Sequence, residues 1–427
     1  MRAPLLSTIA VLALVAAANA QNVPPGPHDE ARIPAYTLPD PLTMQDGTAV
    51  TTPAQWRDRR RPELLALFAR EVYGSTPAGT VPVSVRVTEP DTPSLGGLAV
   101  RRQVTLTFGT GPRAVAARLL MYVPTRAKGP APAFVALNFD GNHAIDADPG
   151  ITLSPAWMEE GPGVVDHRAT EAARGTNAAA WPLARIAARG YAIVTAYYGD
   201  FDPDFDDGFQ NGVQPLFYRA GQSRPGPAEW GAIGAWSWGL SRMLDYLETE
   251  RAIDARRVAV LGHSRLGKAA LWAAAQDQRF AMAVSNESGC GGAALSKRIF
   301  GEVVKDINVR FPHWFATTFR RYNDREADLP VDQHELLALI APRPLYVASA
   351  ADDLWADPKG EFLGALHAEP AYRLLGRKGL GVDGWPPPDT PVGDTIGYHV
   401  RRGDHALATY DWERYMDFAD RHLASTR

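Results

Sequence analysis

The chain has 427 residues, 45% of them hydrophobic and 22% charged, and a formal net charge of −4 at pH 7. That apolar share supports a sizeable core, and the mild negative balance argues against nucleic acid or an anionic membrane as partner. Function must then come from a site, and the lone cysteine, Cys290, excludes an intramolecular disulfide.

Met1 to Ala20 reads as a secretory signal. Arg2 gives the positive start, Ile9 to Val15 a short apolar centre, and Ala18-Asn19-Ala20 a small-x-small cleavage site. The apolar centre is too short to span a bilayer, and no other run approaches spanning length. Cleavage near Ala20 removes Arg2 and no acid, shifting the formal charge to −5. The expected product is a secreted or periplasmic monomer. Residues 21–55 form a Pro-rich strap, and 56–427 read as one catalytic domain.

Trp56 to Tyr73 has helical apolar spacing, with Leu64, Leu65, Phe68 and Val72 on one face. Val83–Val87, Val104–Phe108 and Ala116–Val123 alternate as strands without helices between them, which predicts an antiparallel edge. The pattern then changes to short, near-continuous apolar strands: Ala133–Phe139, Tyr191–Tyr198, Val258–Leu261, Ala281–Ser285 and Pro344–Ser349. Helical segments at about 178–189, 230–250, 265–276 and 333–341 separate most of them, and a last helix spans about Tyr410 to Leu423. Buried strands alternating with helices predict a mostly parallel sheet covered on both faces, a three-layer α/β sandwich. Long connections at about 140–178, 199–229 and 288–332 are expected to wall a site. Gly376 to Gly397, with Trp385-Pro386-Pro387-Pro388, is expected to pack as a stiff flap.

Gly262-His263-Ser264-Arg265-Leu266-Gly267-Lys268 joins the strand at Val258–Leu261 to a helix. A serine on such a strand-turn-helix elbow, beside the positive end of a helix dipole, is placed as a nucleophile of an α/β-hydrolase. The second glycine stands one residue later than in G-x-S-x-G. A serine nucleophile needs a base, and the base an orienting acid. His405 follows the last strand segment and fits the base better than His399, His422 or His28. The acid is Glu287, ending a buried strand, or Asp352 or Asp353 after Pro344–Ser349.

Gly-x-Ser-Arg-x-Gly-Lys, then Glu287-Ser288-Gly289-x-Gly-Gly, resembles the glucuronoyl esterases of carbohydrate esterase family 15. The likeness continues through Phe311 to Phe315, Leu329 to His334, Leu339 to Pro344, Asp353-Leu354-Trp355 and Gly397-Tyr398-His399. It is nearer the bacterial branch, because the fungal enzymes carry disulfide cysteines. The resemblance implies an α/β-hydrolase fold and hydrolysis of esters of glucuronic acid or its 4-O-methyl ether, as between glucuronoxylan and lignin alcohols. It implies Ser264 as nucleophile, His405 as base, Glu287 or Asp353 as acid, and Arg265 as oxyanion stabiliser. Lys268, Glu302 and Trp355 are implied sugar-binding residues, with Trp314 and His313 shaping the same wall. No cofactor or metal is implied. The alternatives are another carbohydrate esterase, such as an acetyl xylan esterase, or a non-catalytic carbohydrate-binding relative.

Asp200 to Gly208 superficially looks like a calcium loop. Asp207 occupies the glycine position and Val213 the bidentate glutamate position of the EF-hand pattern, so a solvated acidic loop is expected instead.

Overall fold

The computed structural model describes residues 28–423, so the expected signal, residues 1–20, lies outside the described residues. A helical stretch begins with α1 (Pro53–Gln55), capped by Thr52, and continues through α2 (Arg61–Phe68) with π-helical turns at Trp56–Arg60 and Ala69–Tyr73. Gly74 ends it at φ 83°, where a Cβ would lie 2.3 Å from the carbonyl oxygen of Glu229. No side chain fits there.

Three antiparallel strands follow, β1 (Val83–Ser94), β2 (Ala99–Phe108) and β3 (Val115–Pro124). The sheet turns parallel at β4 (Ala131–Asn138). A two-residue-per-strand hairpin, β5 (Val164–Val165) and β6 (Arg168–Ala169), decorates the next connection. Then come β7 (Ala192–Tyr197), β8 (Ile253–His263), β9 (Met282–Asn286), β10 (Leu345–Ala350), β11 (Val392–Gly393) and β12 (Ile396–Arg401). The ten-stranded sheet has the order β1-β2-β3-β7-β4-β8-β9-β10-β12-β11, parallel from β7 through β12.

Alternation along β8 shows why both faces are covered. Val258 and Val260 join one core, Ala259 and Leu261 the other. Burying each such valine or leucine stabilises by about 1.5–3 kcal/mol. The first core is closed by α2, α4 (Ala232–Leu247), α5 (Arg265–Gln276), α6 (Val304–Arg310), α7 (Gln333–Ala338) and α8 (Pro358–Leu374). The second is closed by α3 (Leu183–Ala188) and α9 (Thr409–His422). This is the three-layer α/β-hydrolase architecture. It carries the ends of β8, β9, β10 and β12 to one carboxyl edge, the edge where open α/β sheets bind ligands.

Two features differ from the sequence expectation. Helix α8 is absent from it, because Gly360, Gly364 and Pro370 read as helix breakers. Gly364 sits instead where a Cβ would come 2.2 Å from the Ala293 carbonyl oxygen, so close packing overrides propensity. The other difference is the acidic loop. Asp200, Asp202 and Asp204 are buried, not solvated.

Candidate active site

Ser264 sits on the β8–α5 turn at φ 56° and ψ −130°, a strained conformation for a residue other than glycine. Its N–H donates to the carbonyl of Asn286 at 2.9 Å, tying the elbow to β9. Both glycines of the motif are steric requirements. A Cβ on Gly262 would lie 1.9 Å from the Leu266 carbonyl oxygen, and one on Gly267 would lie 2.9 Å from the Ser288 Cβ. The displaced second glycine therefore lets α5 approach the turn that carries Glu287, while Leu266 is buried in the core.

The structure brings His405 together with both candidate acids. Its Nδ1 lies 2.7 Å from Asp353 Oδ2 and 3.2 Å from Glu287 Oε2. Asp352 instead accepts the Gly403 N–H at 3.2 Å. The two close acids are held differently. Glu287, at φ 48° just past β9, accepts from Arg401 Nη2 at 2.7 Å and from the Ala406 N–H at 2.9 Å. Burial pushes its carboxyl up to about 7 against the pull of His405 and Arg401. Asp353 caps the turn after β10, accepting the Ala356 N–H at 3.3 Å, and turns its other oxygen to the imidazole.

Arg265 lies in a cage. Its guanidinium is 4.7 Å from the Trp314 ring centroid, 5.4 Å from Phe311 and 5.7 Å from Phe139, and it pairs with Asp204. The other Asp204 oxygen accepts from Trp314 Nε1 at 2.7 Å and is 2.8 Å from His313 Nε2. Burial alone would raise the Asp204 carboxyl, but Arg265, His313 and Trp314 hold it well below the usual range. The Arg265 Nε is buried without a hydrogen-bond partner among the described residues.

A cavity of about 400 Å³ opens from Ser264, Arg265 and His405 toward Lys268, Glu302, Arg310 and Trp355. Lys268 is buried and donates to the Ser288 carbonyl at 2.5 Å; burial lowers its pKa and Glu302 opposes that. The Glu302 N–H donates to the Trp355 carbonyl at 2.8 Å, and burial raises its carboxyl against Lys268 and Arg310. The Arg310 guanidinium lies 5.2 Å from the half-buried Trp355 ring. The pocket thus offers several polar groups to one ligand ring.

A family model described as "Glucuronyl esterase, fungi" matches residues 206–376. The chain is 49% identical over 398 residues to the carbohydrate esterase MZ0003 of an unknown prokaryotic organism, covering 93% of this chain and 92% of that one. A solved glucuronoyl esterase from Solibacter usitatus matches with a TM-score of 0.88 at 47% identity, over 92% of this chain and all of the other. The 4-O-methyl-glucuronoyl methylesterase 1 of Wolfiporia cocos is 30% identical over 81% of this chain and 74% of its own length. The chain belongs to carbohydrate esterase family 15, the glucuronoyl esterases.

In this glucuronoyl esterase, sequence reasoning misses Asp204, Arg310, Arg401 and His263. Asp204 reads there as one of a run of acidic residues, although it lies in an aromatic-rich loop. His263, beside the nucleophile, packs against His405 with the rings tilted by 38° and their centroids 4.5 Å apart, and contacts Asn286 Oδ1 through Nδ1 at 2.6 Å. Burial first, then His405, hold it well below the ordinary imidazole range, so it stays neutral. Donor atoms of His263, Glu287 and His405 all lie within 4.8 Å of one another, a spacing that could admit a cation. Glu287 is already committed to Arg401, Ala406 and His405, so the cluster is accounted for as part of an acid–base assembly.

Proposed function

We propose that the protein hydrolyses esters of D-glucuronic acid or its 4-O-methyl ether by serine acyl transfer. The observation that carries the reading is the meeting of His405, a carboxylate 2.7 Å from its Nδ1, and a polar cavity at the Ser264 elbow. Family membership supports the same substrate class.

Ser264 attacks the ester carbonyl at C6 while His405 takes the hydroxyl proton. The tetrahedral oxyanion develops beside the start of α5, where the first N–H groups have no acceptor within the helix, and beside the caged Arg265. A fixed cation needs no reorganisation when charge appears. His405 then protonates the leaving alcohol, water enters, and the same imidazole activates it against the glucuronoyl-enzyme. Asp353 is the triad acid. Glu287 holds the His405 loop through Ala406 and Arg401 and adds a weaker contact to the imidazole. Lys268, Glu302 and Trp355 bind the sugar ring, joined by Arg310.

Purified protein incubated with methyl or benzyl glucuronoate, beside acetylated xylan, tests the reading. Release of alcohol from the glucuronoates with little acetate is expected, and Ser264→Ala is expected to abolish it. Predominant acetate release indicates an acetyl xylan esterase, and unchanged hydrolysis by Ser264→Ala overturns the site.

A further inference from the structure

The strap that precedes the catalytic core touches the two segments that build one side of the polar pocket. At its start, Glu30 in a 3₁₀ turn (Glu30–Arg32) pairs with Arg298 and, at 3.0 Å, with Lys359. Arg298 lies four residues before Glu302, and Lys359 stands in the first turn of α8, four residues beyond Trp355. The two segments meet directly. The Glu302 N–H donates to the Trp355 carbonyl at 2.8 Å, and a Cβ on Gly301 would lie 2.5 Å from the same oxygen. The Arg298 side chain is 2% exposed and joins the segments again through Asp357 at 3.0 Å, the residue that caps α8. Its guanidinium also lies 4.8 Å from the Phe300 ring centroid, and His28 of the strap meets that ring edge-on at 5.8 Å. Burial would raise the Glu30 carboxyl, but Lys359 and Arg298 hold it below its ordinary value, so its charge is present at neutral pH.

A buried guanidinium needs its charge balanced, and here one carboxylate comes from the pocket side and the other from the strap. The strap is anchored independently further along. The Pro41 carbonyl accepts from Arg60 Nε at 3.1 Å, and the Pro39 carbonyl lies 2.8 Å from His334 Nε2. Glu30 is therefore not needed to hold the strap down, and its pairs act on the segments it bridges. We infer that Glu30 is a positioning residue for the polar pocket, clamping the segments of Glu302 and Trp355 together so that both side chains meet the glucuronoyl ring in a fixed geometry. Glu30 does not line the cavity, so it acts only through Arg298 and Lys359. The inference rests on the proposed assignment of that pocket to the acyl half of the ester. A binding constellation tolerates only about 0.5 Å of looseness, so contacts that support its residues from outside matter.

Glu30→Gln keeps the size of the side chain and removes its charge. It is expected to raise KM for methyl glucuronoate about three- to tenfold with kcat within about twofold, a modest effect because the Glu30 side chain is 48% exposed. Glu30→Asp, which keeps the charge, is expected to recover part of the loss. Sulfonylation of Ser264 by phenylmethylsulfonyl fluoride uses the nucleophile and base but no sugar contact, and its rate is expected to be the same in wild type and Glu30→Gln. A further readout needs no turnover. Glucuronate titrated into Ser264→Ala protein is expected to bind, and to bind more weakly by a similar factor when Glu30→Gln is added. An unchanged KM, an unchanged glucuronate affinity, or sulfonylation slowed as much as kcat/KM overturns the clamp, the last by showing a general loosening of the fold. Failure of Ser264→Ala protein to bind glucuronate overturns it as well. Glucuronate binding weakened by Glu30→Gln, in a protein whose wild type cleaves no glucuronoate ester, overturns the proposed reaction and leaves the clamp standing.

Discussion

Arg265 and His405 flank one serine, and the protein holds them by opposite means. The Arg265 side chain is 17% exposed, packed among three aromatic rings and paired with a buried carboxylate that is itself fixed by His313 and Trp314. The His405 side chain is 42% exposed, on a turn after β12, and is held by hydrogen bonds to carboxylates from two other strand ends. The contrast matches the work proposed for each. A cation that stabilises developing charge is most useful when it cannot move, whereas a base must gain and lose a proton and meet solvent between steps.

The largest effect that sharpens this contrast comes from the acids behind His405. Asp353→Asn is expected to lower kcat on the order of 10³–10⁴-fold, because the imidazole loses its orienting anion. Glu287→Gln is expected to cost about tenfold in kcat, since Glu287 is engaged by Arg401 and Ala406 and its carboxyl already titrates near 7. Steady-state kinetics on a methyl glucuronoate separates the two. Equal losses would show that the carboxylates share the role.

Next in size is the caged cation. Arg265→Met is expected to lower kcat by about 10²–10³-fold with little change in KM, the signature of a group acting on the transition state. Asp204→Asn leaves the guanidinium buried without its counter-ion, and is expected to destabilise the fold by about 3–5 kcal/mol by denaturant unfolding. A neutral effect of Asp204→Asn on both stability and kcat would mean that the aromatic rings alone fix Arg265.

Half of this contrast is legible in the amino-acid sequence. The parallel strands show as continuous apolar runs, and the elbow, His405 and both acids follow from strand ends and chain order. The cage does not. Asp204 looks like its acidic neighbours because burial of a loop carboxylate depends on Arg265, 61 residues away, and on His313 and Trp314 from a third segment. Asp353 and Glu287 are equivalent in sequence, and distances of 2.7 and 3.2 Å with different third partners separate them. Helix α8 is hidden by glycines, one of them kept for a close approach to Ala293, a constraint with no local signature.

The smallest expected effect is on pH dependence, and it reads the hold on His405 directly. Burial disfavours the imidazolium, but the hydrogen bonds it donates to Asp353 and then Glu287 outweigh it and raise the group to about 10. The base acts only when unprotonated, so kcat/KM must rise with pH along a limb lying above the unperturbed value of about 6.5. Removing a carboxylate charge withdraws support from the protonated form and moves the limb toward acid. Asp353→Asn should therefore shift it further than Glu287→Gln, as the shorter contact carries the larger interaction, while Arg265→Met, whose charge is neutralised by Asp204, should leave it nearly in place. Profiles of kcat/KM from about pH 5 to 11 on the methyl ester, corrected for uncatalysed hydrolysis, measure all three. A limb that stays at its wild-type position in Asp353→Asn would mean that Asp353 orients the imidazole without tuning its proton affinity, and would erase the electrostatic half of the difference between the two groups.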